Sequence, residues 1–111
     1  MRKRTIAVLL ALTIGAIAAI PVFAATPKVT GTVGPGFTIS MKKPTKAGRY
    51  TLVVSDKSSI HNFHLKGKGV NVRTSIPATG LKTFKITLAK GRYTFLCDPH
   101  PTSMKGSFTI R

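Results

Sequence analysis

The run Gly91-Arg92-Tyr93-Thr94-Phe95-Leu96-Cys97-Asp98-Pro99-His100-Pro101-Thr102-Ser103-Met104-Lys105-Gly106 decides how this chain folds and where its chemistry sits. Its first half alternates in character. Tyr93, Phe95 and Cys97 fall on one face of an extended strand, because side chains at i and i+2 share a face. The thiol therefore arrives at the end of that strand on the side of two aromatic residues. The second half turns back on itself, with Pro99 and Pro101 restricting the backbone on either side of His100. Within eight residues it gathers a thiol, an imidazole and a thioether, at Cys97, His100 and Met104. Thiolate and thioether are soft ligands that suit Cu(I), and imidazole serves both copper oxidation states. The run is a candidate copper clamp.

Moving outward, other short runs share the alternation and the taste for β-branched and aromatic residues: Phe37 to Met41, Tyr50 to Ser55, Phe84 to Leu88, Tyr93 to Cys97 and Phe108 to Arg111. Turn signals separate them, at Gly34-Pro35-Gly36, Lys46-Ala47-Gly48, Lys66-Gly67-Lys68-Gly69, Pro77-Ala78-Thr79-Gly80 and Ala89-Lys90-Gly91. No segment after residue 24 carries a helical period. Short strands at this spacing predict an all-β sandwich in which two sheets bury alternate side chains against each other. There is no internal repeat, low-complexity tract or linker, and the length suits one domain with one core.

The segment Ile60-His61-Asn62-Phe63-His64-Leu65 is expected as a further strand. Alternation puts His61 on the side of Phe63 and Leu65, facing inward, and His64 on the opposite face. His61 is thus the better partner for Cys97. Met41, at the end of a strand with no ligand spacing around it, is assigned to packing, the usual work of methionine.

At the N-terminus, Arg2-Lys3-Arg4 precedes a 15-residue apolar stretch from Ile6 to Ile20, closed by Pro21. This reads as a secretory signal peptide over residues 1–24, with cleavage after Ala24 and a domain over residues 25–111. Retained, it would be a membrane anchor, but a spanning helix wants about 20 apolar residues. The expected location is the periplasm, the cell surface or the medium. Export makes a single cysteine conspicuous, since an oxidising compartment pairs thiols and Cys97 has no mate. A metal-held thiolate accounts both for the missing mate and for the neighbours.

The chain has 18 Lys and Arg against two acidic residues, Asp56 and Asp98. Loss of residues 1–24 would remove three of those cations and lower the net charge from +16 to +13. That surface favours redox partners with acidic faces, or an anionic membrane or cell-wall surface. Nucleic acid is excluded as a partner, because the cations are scattered singly from Lys28 to Arg111 rather than gathered on one helix or arm. An enzyme is not expected. The chain has three histidines and no carboxylate pair, and it lacks a Ser-His-Asp set.

Taken together, His61-Asn62, the run Gly91 to Cys97, and C-x2-H-x3-M closed by Met104-Lys105-Gly106 resemble the cupredoxins, the small blue-copper family of plastocyanin, amicyanin and pseudoazurin. The resemblance covers nearly all of residues 28–111. It implies a Greek-key β-sandwich holding one copper ion, Cu(I) or Cu(II), near one end, with His61, Cys97 and His100 as a trigonal ligand set and Met104 as a long axial ligand. It also implies that Asn62 ties the first ligand segment to the Cys97 loop. Asp98 either accepts a hydrogen bond from this segment or lies exposed. The three residues between His100 and Met104 are a departure, since amicyanin-like loops have two and plastocyanin-like loops four. The function implied is one-electron transfer by a monomer. Copper handling through the same ligands, and a metal-free cationic module that adheres to anionic surfaces, are the competing expectations.

Overall fold

A computed structural model of the protein describes residues 25–111 and Gly15; the proposed signal peptide, residues 1–24, otherwise lies outside the described residues. Eight strands follow in order: β1 Lys28–Val33, β2 Ile39–Met41, β3 Gly48–Asp56, β4 His64–Gly67, β5 Val70–Arg73, β6 Gly80–Leu88, β7 Gly91–Leu96 and β8 Lys105–Ile110. They form two four-stranded sheets, β2-β1-β3-β6 and β5-β4-β7-β8. All pairings are antiparallel except β1 with β3. The fold is the expected all-β sandwich, with no helix among the described residues.

Alternation builds the core. Tyr50, Leu52 and Val54 of β3, Ile86 and Leu88 of β6, Tyr93 and Phe95 of β7 and Phe108 and Ile110 of β8 pack between the sheets, with Met41 among them as a packing residue. Phe63 and Phe95 stack with ring centroids 5.8 Å apart. Glycines admit these rings: a Cβ on Gly31 would stand 2.7 Å from the Phe63 ring, and one on Gly106 would run into the ring of Phe95, its register partner across β7 and β8. Gly106 therefore closes the Met104-Lys105-Gly106 motif for a packing reason.

Several expected boundaries move. The strand expected to start at Phe37 starts at Ile39, because the Gly34-Pro35-Gly36 turn, with Gly34 and Gly36 at positive φ, carries the chain out of the sheet until Thr38 bonds back to Gly34. The strand expected through His61 begins only at His64, so His61, Asn62 and Phe63 belong to the loop leading into β4. Two strands went unpredicted, β1 and β5. The loops after β1 and β3 and the loop between β7 and β8 converge at one end of the sandwich, joined by Lys57 N–H donating to Val33 O and Asn62 N–H to Cys97 Sγ.

Candidate metal centre

At that end His61, Cys97 and His100 come together. His61 Nδ1 and His100 Nδ1 lie 3.1 Å apart, and Cys97 Sγ lies 3.6 Å from the first and 3.7 Å from the second. A point equidistant from these three atoms is about 2.0 Å from each, the bond length of a first-row metal ion to imidazole nitrogen. Two imidazoles and a thiolate on a triangle of this size fit copper, which favours a His2Cys trigonal set. Cys97 is fully buried, His61 is buried at 1% exposure and His100 is half-buried. Only the His100 edge of the triangle approaches solvent.

The donors come from two loops. Cys97 stands one residue past β7, where the inward face shared by Tyr93 and Phe95 delivers the thiol. His100 follows in a turn closed by backbone bonds: His100 N–H donates to Cys97 O, Met104 N–H to His100 O, and Cys97 N–H to Met104 O, each at 3.0 Å. This loop ties Met104, 1% exposed, to both ligands through the main chain. His61 enters from the loop before β4. Its Nε2 is buried and has no hydrogen-bond partner among the described residues.

Asn62 joins the two ligand segments. Its side-chain amide donates to Asp98 Oδ2 at 2.7 Å and to Thr74 O at 3.2 Å, and its Oδ1 accepts from Asp98 N–H at 2.8 Å. Its own N–H points at Cys97 Sγ, 3.5 Å away. Asp98 is therefore engaged, the first of the two roles expected for it. Burial acts to raise the Asp98 carboxyl, but hydrogen bonds from Asn62 and His64 and the charges of His64 and Arg73 outweigh it and hold the group below its ordinary value of 3.8. Asp56, the other acid, accepts from Ser58 N–H and from the Thr74 hydroxyl, which in turn accepts from Phe63 N–H.

Two participants escaped the sequence reading. Phe37, expected in a strand, sits edge-on to both imidazoles at centroid distances of 4.9 and 5.0 Å while remaining 62% exposed. The signal was its place directly after a Gly-Pro-Gly turn, where an aromatic has no strand partner. His64, placed by alternation on the face away from the core, is nevertheless buried, because Asp98 and Asn71 cover it from the neighbouring loop and strand.

A family model described as copper binding proteins of the plastocyanin/azurin family matches residues 28–111. A comparison with curated proteins gives no match. Among solved structures, auracyanin A, a "blue" copper protein from Chloroflexus aurantiacus, superposes with a TM-score of 0.52 at 18% identity, over 78% of this chain and 100% of its own. Dithionite-reduced auracyanin from Roseiflexus castenholzii gives a TM-score of 0.56 at 18% identity, over 79% of this chain and 99% of its own. A chain of a heme-copper terminal oxidase dimer gives 0.52 at 16% identity, over 76% of this chain and 63% of its own. At these identities the likeness bears on the fold alone.

Proposed function

Since the chain belongs to the plastocyanin/azurin family of copper-binding proteins, we propose that it is an exported one-electron carrier. The observation that carries this reading is the closed triangle of His61 Nδ1, His100 Nδ1 and Cys97 Sγ. Bound there, copper would supply a single-electron couple between its cuprous and cupric states. His61, Cys97 and His100 would hold the ion, and Met104, tied to the same loop by its main chain, is the further candidate ligand. Asn62 and Asp98 keep the two ligand segments in register, as groups behind metal ligands commonly do.

Fast electron exchange requires ligands that move little between the two oxidation states. The backbone bonds among Cys97, His100 and Met104 and the Asn62 to Asp98 clasp supply that rigidity. The same clasp disfavours copper delivery, in which the ligands must let go. His100, the half-buried ligand, offers its ring edge as the path for the electron, and the cationic surface selects partners with acidic faces.

The test is to add Cu(II) to the metal-free protein and record the visible spectrum. An intense thiolate-to-copper band should appear and be absent from Cys97→Ser. Bound copper without colour, or a band that survives in Cys97→Ser, would sink the proposal. Electron exchange with an acidic partner should also slow as salt rises, because charges are screened over about 8 Å at physiological ionic strength.

A further inference from the structure

His64 is the third histidine, and the copper reading leaves it without a task. It is buried at 8% exposure and opens β4, three residues beyond His61. Its Nδ1 donates to Asp98 Oδ1 at 2.7 Å, and its Nε2 lies 2.6 Å from Asn71 Oδ1 on β5. Asp98 receives the Asn62 side-chain amide on its other oxygen and returns its own N–H to Asn62 Oδ1, while the Asn62 backbone N–H points at Cys97 Sγ. A continuous line of hydrogen bonds thus runs from Asn71 through His64, Asp98 and Asn62 to the thiolate. Its links differ in strength. The bonds on the Asp98 carboxylate are charge-assisted and short, while the 3.5 Å N–H to sulfur contact is the soft one.

Resting on the copper reading for its consequence, though not for its geometry, the structure assigns His64 as a positioning residue that sets the electron affinity of the site through Asp98. The imidazole fixes where the carboxylate sits. The carboxylate fixes Asn62, and Asn62 fixes how closely its N–H approaches the sulfur. Hydrogen bonding around the cysteine sulfur is one of the handles on the potential of such sites. A donor at the thiolate withdraws electron density from it and favours the reduced ion. Loosening the line at His64 weakens that donor, which favours the cupric state and so lowers the potential.

Two substitutions separate this role from mere filling of space. His64→Phe keeps an aromatic ring and removes both nitrogens. His64→Asn places an amide nitrogen where Nδ1 stands and restores the donor to Asp98. In the metal-free protein, exchange of the Asp98 amide proton followed by NMR should speed up roughly tenfold in His64→Phe, the loss of about one hydrogen bond to a charged group, and return towards wild type in His64→Asn. In the copper-loaded protein the potential should fall in His64→Phe and recover in His64→Asn. Introduced into Asp98→Ser, which has no carboxylate to position, His64→Phe should leave the potential where Asp98→Ser alone puts it. Equal potentials in wild type and His64→Phe, or the same shift with and without Asp98, would overturn the assignment. If the protein binds no copper while the exchange pattern holds, the clasp stands and the carrier reading fails.

Discussion

The middle of the sandwich and its metal end are held together by opposite means. In the middle, Phe63 and Phe95 stack between Gly31 and Gly106, with Tyr93 and Phe108 stacked behind them at 5.3 Å, and the cohesion is apolar and tightly packed. At the metal end cohesion is polar, and it consumes both carboxylates of a chain that carries 18 cationic side chains. Asp56 supports Thr74, Asp98 supports Asn62, and these two residues touch each other through Asn62 Nδ2 and Thr74 O. The middle fixes how far apart the sheets stand. The end fixes where two imidazoles and a thiol point. Damage to the first should appear mainly as lost stability, and damage to the second mainly as lost metal chemistry.

The largest effect should come from Phe95→Ala, which removes a 3% exposed ring from the stack and leaves a void beside Phe63 and Gly106. The expected cost is about 3–5 kcal/mol, read as the denaturation midpoint of the metal-free protein at unchanged slope. A loss below about 1 kcal/mol would mean that the neighbours collapse into the space and that the stack does not set the spacing. Asn62→Ala should reverse the balance. It strands Asp98 Oδ2, Asp98 N–H and Thr74 O, a cost of about 1–3 kcal/mol, yet it should weaken copper binding by about 10–100-fold. Competition with a chelator of known affinity measures the second quantity. If Asn62→Ala costs as much stability as Phe95→Ala and leaves copper affinity intact, the division between the two regions is wrong.

The middle was the more legible region. Period-two alternation marked β3, β6, β7 and β8, because their buried residues are large and their exposed ones polar. Residues Lys28 to Val33 carry the same alternation, but with Gly31 in place of a bulky residue on the buried side, where Phe63 fills the space from the loop before β4. That information belongs to a partner distant in sequence, so β1 could not be seen locally. The four-residue β5 was too short to show a period, and β4 was expected three to four residues too early. At the metal end, the meeting of Cys97 and His100 was readable from spacing, and that of His61 with them from its neighbours Phe63 and Leu65, even though the strand invoked for it begins three residues later. Phe37 and His64 were not readable. Both act across loops, one against two rings and the other through Asp98, and alternation within a strand says nothing about what a neighbouring loop covers.

The smallest effect tests whether the polar end is electrostatic in fact as well as in composition. Asp98 titrates below its ordinary value of 3.8 because Asn62, His64 and Arg73 together overcome the opposing effect of burial. A carboxyl whose value is lowered on folding stabilises the native state fully above its unfolded value, and that contribution fades as pH falls through the lowered folded value. Asp98→Asn imitates the protonated side chain, so the metal-free wild type should be the more stable of the two at about pH 6, and the gap should close towards about pH 3. The gap should stay below about 1 kcal/mol, since the carboxylate is partly exposed and solvent screens it. Phe95→Ala involves no ionisable group and should show no such closing over the same range. A gap between wild type and Asp98→Asn that persists unchanged into acid would mean that Asp98 holds the clasp by shape and hydrogen bonding alone. The contrast would then lie between two kinds of packing rather than between an apolar middle and a charged end.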